Sequence, residues 1–205
     1  MAESEVEVAQ IRQLLRRAKP PADPLLLDQL LVTMLKLGPE VAELIPEVVI
    51  AINRGYEFSS SALVPVVAKH KSEVMLGAVL NKYGPKYLDI SSKCQLFSAG
   101  FGQFQPDLLD YLRVSYDQDT DHLRSMIVVA LGNSGTASVL QDLQDIRGLT
   151  SHRLSELESE DTQLSGMDQE IRSLHARCRR AFLRRLDEVV EIVKSRAECE
   201  PTSGD

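Results

Sequence analysis

Apolar residues recur at every third or fourth position along most of this chain, which is the spacing of one face of an α-helix. The clearest case is the stretch 125–146, where an apolar segment ends at Gly132–Gly135 and a second amphipathic segment follows at once. This pattern predicts a helix over about 123–131, a turn at the glycines and a helix over about 137–146. The stretch therefore predicts one helical hairpin.

Proline and glycine divide the upstream sequence into similar segments. The predicted hinges between paired helices are Gly38, His70, Gly100 and Gly132, at steps of 32, 30 and 32 residues. A nearly constant step with two helices per step is typical of a stacked helical-repeat array. A rival grouping pairs Gly38-Pro39 with Gly84-Pro85, at a step of 46 residues.

The hairpins resemble HEAT repeats, in particular the short repeats of phycobilisome-lyase-like proteins. The resemblance covers about residues 23–147 and implies an all-α, right-handed α-solenoid of about four stacked hairpins. It also implies a surface for a partner, or a role in chromophore attachment. The residues that carry it are Ala130-Leu131-Gly132 with Val139, Leu140 and Leu143, and Leu37-Gly38-Pro39 with Pro46, Val48 and Val49.

We expect four regions: an N-terminal capping helix (1–22), the HEAT-like array (23–148), C-terminal helices (149–198) and a disordered tail (199–205). In the third region a long helix begins near Asp168. Its apolar residues average slightly more than the 3.5-residue spacing of a left-handed coiled coil. We therefore expect it to pack along the end of the array as a second cap, with a free coiled coil as the alternative. Those residues are Ile171, Leu174, Cys178, Phe182, Leu186, Val189 and Val193.

Charge is the next feature that changes the picture. The formal net charge of −7 argues against a dedicated nucleic-acid binder. The predicted C-terminal helix nevertheless carries a cluster of arginines, which either meets phosphates or an acidic partner, or forms a solvated face paired with nearby acids. The cluster is Arg172, Arg177, Arg179, Arg180, Arg184 and Arg185.

The sequence offers little for catalysis. The four histidines are scattered and form no HExxH pair, so we expect no metal and no cofactor. The Gly132–Gly135 segment lacks the strand and the further residues of a nucleophile elbow or a phosphate loop. We interpret the three cysteines as reduced thiols, and four aromatic residues near one turn as packing rather than a ligand pocket. These seven residues are Cys94, Cys178, Cys199, Phe101, Phe104, Tyr111 and Tyr116.

We therefore predict a non-enzymatic protein–protein interaction scaffold that binds another protein on the concave face of the solenoid. The alternatives are a bilin-lyase-like or chaperone-like protein, and nucleic-acid binding through the C-terminal arginines. No apolar run reaches the length of a membrane span and the N-terminus is acidic, so we expect a cytoplasmic protein. The candidate partner-binding residues are Glu47, Asp110, Arg113, Gln141, Gln144, Asp145, Arg177, Arg180 and Arg184.

Overall fold

A computed structural model describes residues 2–17, 23–36, 39–114, 121–159 and 166–199. Every regular element within those ranges is helical, which confirms the predicted all-α class. Short 3₁₀ helices span Pro39–Leu44, Pro85–Tyr87, Gly102–Phe104 and Ala137–Val139. The α-helices are α1 (Ala2–Arg17), α2 (Pro24–Lys36), α3 (Ile45–Asn53), α4 (Ser60–His70), α5 (Glu73–Tyr83), α6 (Ile90–Ser98), α7 (Gln105–Val114), α8 (Asp121–Ser134), α9 (Leu140–Ser159) and α10 (Gly166–Cys199).

The chain forms two compact units, unit 1 (Met1–Phe101) and unit 2 (Gly102–Asp205). In unit 1 alternate helices pack on one another. One row consists of α2, α4 and α6, and the other of α1, α3 and α5. Helix α4 lies in the middle of its row and is therefore buried on most sides, through Ala62, Leu63, Val64, Val66 and Val67.

Local sequence explains where these helices begin. The Ser59 hydroxyl accepts a hydrogen bond from the N–H of Ala62, and Ser72 does the same for Met75, both at 3.2 Å. Each interaction satisfies a donor that the first turn of a helix leaves unpaired. Pro65 lies inside α4, where it supplies no backbone N–H to the helix.

Two tyrosines hold the segment between α3 and α4. The hydroxyl of Tyr83 donates to the carbonyl of Tyr56, and the hydroxyl of Tyr87 donates to the carbonyl of Phe58. The two donor rings stack with their centroids 4.5 Å apart. Burial raises the pKa of Tyr87 well above its usual value, so its hydroxyl keeps the proton that it donates.

Removing one of these hydroxyls tests how firmly the segment is held. We expect Tyr87→Phe to lower the free energy of unfolding by about 1 kcal/mol, because the carbonyl of Phe58 loses its donor while the ring packing is kept. Urea denaturation followed by circular dichroism measures the change. A Tyr87→Phe protein as stable as the parent would show that the hydroxyl contributes nothing.

In unit 2 the long helix α10 packs against both α8 and α9, and α7 packs against α8 and α9. Near the start of α8, Arg124 contacts Phe182 of α10, and near its end Gly132 contacts Arg196. Residue numbers increase in the same direction along both helices, so α8 and α10 are parallel. The contacts of α10 with α9 run in opposite directions along the two helices, from Arg172 with Leu157 to Asp187 with Arg147, so α9 and α10 are antiparallel. The buried face of α10 consists of Ala176, Phe182, Leu186, Val189, Val190 and Val193.

The predicted turn at Gly132–Gly135 needs correction. Helix α8 continues to Ser134, so Gly132 lies in its last turn. A Cβ at Gly132 would lie 2.9 Å from Cγ1 of Val189. Arg196 donates to the carbonyls of Gly132 and Gly135, at 2.5 and 2.9 Å, and so satisfies two acceptors at the helix end. At Gly132 the missing side chain thus lets α10 approach closely.

The second helix of that hairpin is also longer than predicted. Helix α9 runs unbroken from Leu140 to Ser159, so the predicted boundary at 148/149 falls inside it. Gly148 therefore sits in a helix interior, with nothing within 4 Å of the position its Cβ would take. The packing of α9 on α10 supports a helix that continues through this glycine. The predicted tail falls almost entirely at 200–205, outside the described residues.

Candidate partner-binding surface

Glu47 is largely enclosed by unit 1. Its side chain is only 11% exposed. Its Oε1 forms an ion pair with Nε of Arg12 at 3.1 Å and accepts a hydrogen bond from Nη2 of Arg16 at 3.0 Å. Arg12 also reaches Glu43. These ion pairs connect α1 to the start of α3, so Glu47 contributes to the packing of unit 1.

Most of the remaining candidates lie in unit 2, on α7 and α9. Arg113 bonds both Asp110, at 3.1 Å, and Asp142, and so links α7 to α9. On the exposed face of α9, Gln141 donates to Asp145 at 2.8 Å, and Gln144 is exposed beside them. The structure thus brings Asp110 to Arg113 and Gln141 to Asp145 in two separate local pairs.

The arginines of α10 are mostly occupied within unit 2. Arg172 and Arg179 donate to the carbonyls of Leu157 and Arg153 on α9. Arg180 pairs with Glu158 at 2.6 Å, and Arg185 pairs with Glu188 at 2.8 Å. The acid-paired interpretation therefore fits Arg180 and Arg185, whereas Arg172 and Arg179 bind backbone carbonyls of α9. Arg177 and Arg184 are exposed on the outer side of α10.

The apolar surface that sequence reasoning missed lies in the first turns of α10. Met167, Ile171 and Leu174 are 73%, 47% and 51% exposed and occur at i, i+4 and i+7, so they form one row that we call the α10 ridge. Two of its residues, Ile171 and Leu174, line an open groove of about 840 Å³. The polar and small residues around it are Gly166, Gln169, Glu170, Ser173 and Arg177.

The ridge continues the face of α10 that binds α8. Ile171 precedes Val189 by five turns of 3.6 residues, so both lie on the same side of the helix. The first residues of α8 lie beside Phe182, where the guanidinium of Arg124 is 4.4 Å from the ring. Ile171 lies roughly 16 Å further along the axis. The stripe that the sequence predicts to be buried is therefore buried only where α8 runs beside it.

Other chemistry-bearing residues do not assemble into a site. No group of three metal-ligand side chains occurs within the described ranges. Burial raises the pKa of the Cys94 thiol and, with the charge of Lys69, lowers the pKa of His70. A second open groove, on α9 and α10, is lined by His152, Arg153, Glu156, Leu157 and Arg179.

Three of the four aromatic residues behave as packing, as predicted. Phe101 and Phe104 are buried and Tyr111 is half-buried, while Tyr116 lies outside the described residues. None of the described helices combines the length and apolar character that crossing a bilayer requires.

Comparison with protein-family models, with curated proteins and with solved structures gives no match for this chain. The resemblance to HEAT repeats therefore stays an expectation from the sequence.

Proposed function

We propose that this protein is a non-enzymatic protein-binding module and that the α10 ridge is its docking surface. The observation that carries the proposal is the row of three exposed aliphatic side chains, Met167, Ile171 and Leu174. Exposed aliphatic residues are ordinary when scattered, whereas a contiguous row with a polar rim is typical of an interaction site.

The scaffold that we propose for this module is a short right-handed α-solenoid. The alternate packing of the two helix rows in unit 1 supports it, because stacked hairpins bury their faces against the next hairpin in the series. The concave-face residues predicted from sequence stay a prediction. Arg177 belongs to both sets, since it was predicted to bind a partner and it lines the groove beside the ridge.

The alternatives stay predictions as well. Nucleic-acid binding would depend on Arg177 and Arg184, because Arg180 already pairs with Glu158. For chromophore attachment through sulfur, the burial and raised pKa of Cys94 disfavour a reactive thiolate at that position. Neither alternative explains why the ridge is apolar.

A matched pair of variants tests the ridge. Ile171 and Ile192 lie on the same helix and are both 47% exposed, so Ile171→Glu and Ile192→Glu carry the same change inside and outside the ridge. A photoreactive amino acid at Ser173, in the groove, captures whatever docks there in cells of the source organism. We expect Ile171→Glu to reduce the adducts at least tenfold, because burying an isoleucine contributes roughly 1.5–3 kcal/mol. Ile192→Glu leaves them unchanged.

Both variants should keep the helical circular dichroism of the parent, because each site is half exposed before the change. Adducts that form equally well in the Ile171→Glu protein would contradict the assignment of the ridge.

A further inference from the structure

We propose that a second copy of this chain docks on the α10 ridge, with the two α10 helices antiparallel about a two-fold axis between Ile171 and Leu174. The inference rests on the proposed function, since it names the partner of that same surface. It follows from two independent properties of the first turns of α10: the spacing of the apolar row, and the charges on its flank.

The spacing of the apolar residues is the same whether α10 is followed from its N-terminus or towards it. Met167, Ile171, Leu174 and Cys178 are separated by four, three and four residues, a spacing that reads the same in both directions. When Ile171 is placed opposite Leu174 of the second copy, Met167 falls opposite Cys178 of the second copy. Every apolar position then meets an apolar position, as in the alternating layers of an antiparallel coiled coil.

The charges on the flank of the ridge obey the same symmetry. Glu170 and Arg177 are both exposed and both line the groove, on the same side of the ridge and seven residues apart. In the antiparallel register Glu170 faces Arg177 of the second copy, and the two-fold axis generates the reciprocal pair. On the other flank Asp168 faces His175 of the second copy, so like charges do not meet there.

A parallel arrangement lacks this match. It leaves Glu170 and Arg177 of the second copy two turns, or about 10 Å, apart along the axis. The charge pattern therefore selects the antiparallel orientation, as flanking charges do in coiled coils.

The position of α8 limits how far the contact extends. Helix α8 lies beside α10 from about Phe182 onward, and the ridge lies before that point. Helix α10 of the second copy thus packs against the first turns of α10, just as α8 packs against the later turns. The paired segment is only about three turns long, so its interface falls below the roughly 1,200 Å² of stable complexes. We expect a weak dimer, with a dissociation constant on the order of 10 µM.

Charge reversal of the full chain tests the proposal. Sedimentation equilibrium over a range of concentrations should show dimer for the parent protein. Glu170→Arg alone places two positive charges opposite each other, and Arg177→Glu alone places two negative charges opposite each other. We expect each single variant to dimerise at least tenfold more weakly. An equimolar mixture of the two variants should form a heterodimer, and the double variant should recover the parent affinity.

Recovery in the mixture also shows that both single variants are folded. A parent protein that stays monomeric at all concentrations would overturn the inference, as would single variants that dimerise normally or a mixture that does not recover. If the parent is monomeric while the Ser173 adducts with a different protein still depend on Ile171, the second copy is the wrong partner and the protein-binding function stands. If those adducts do not depend on Ile171, the docking surface itself is wrong.

Discussion

Replacing Phe182 with alanine should lower the free energy of unfolding by about 3–5 kcal/mol. The ring is only 2% exposed and lies in the face of α10 that packs in unit 2. Truncation leaves a cavity there, and the packing around it relaxes only in part. The change also removes the ring beneath Arg124, whose side chain is itself 3% exposed and whose guanidinium is 4.4 Å from the ring centroid. A buried cation that loses an aromatic neighbour adds to the cost.

Urea denaturation followed by circular dichroism measures this change, with Ile171→Ala as the control. Ile171 lies on the same side of the same helix but is 47% exposed, so its truncation should cost less than about 1 kcal/mol in the monomer. Comparable losses for the two variants would contradict the packing described for α10.

The second large effect is expected at Gly132. Because its Cβ position is 2.9 Å from Cγ1 and 3.0 Å from Cγ2 of Val189, the substitution Gly132→Val forces α8 and α10 apart. Val189 cannot rotate away easily, since a β-branched side chain in a helix has one strongly preferred rotamer. We expect a loss of about 3 kcal/mol, at the upper end of overpacking costs.

Gly148→Val provides the matched control in the same unfolding measurement. Gly148 also lies inside a helix, but nothing lies within 4 Å of its Cβ position. Its replacement should change stability by less than about 0.5 kcal/mol, because glycine and valine differ little in helix propensity. Equal effects at the two glycines would mean that helix propensity, not the approach of α10, decides the outcome at Gly132.

A comparison of Ser59 with Gly132 shows which features could be predicted from the sequence. A helix cap was within reach of local sequence, because a residue such as Ser59 acts on a residue only three positions away. The role of Gly132 was not, because it depends on Val189, which is far along the chain. A glycine that serves a turn and a glycine that admits a neighbouring helix look the same in one sequence.

The candidate surface was likewise predictable only in part. The apolar stripe of α10 was predicted correctly as a periodic pattern, and Phe182, Leu186 and Val193 are buried as expected. The exposure of Ile171 and Leu174 follows from where α8 begins beside α10, which no local pattern reveals. Glu47 was predicted to bind a partner protein, whereas its ion pairs are with Arg12 and Arg16 of a different helix of this chain.

The parallel packing of α8 on α10 also has a consequence for synthesis on the ribosome. The carbonyl of Gly132 is capped by Arg196, a residue 64 positions later. At roughly 5–20 residues per second, several seconds of translation separate the two. The face of α8 that packs on α10 is uncovered during that interval, whereas α7, which also packs on α8, precedes it in the chain. The face of α8 that packs on α10 is thus open to aggregation until α10 has been synthesised.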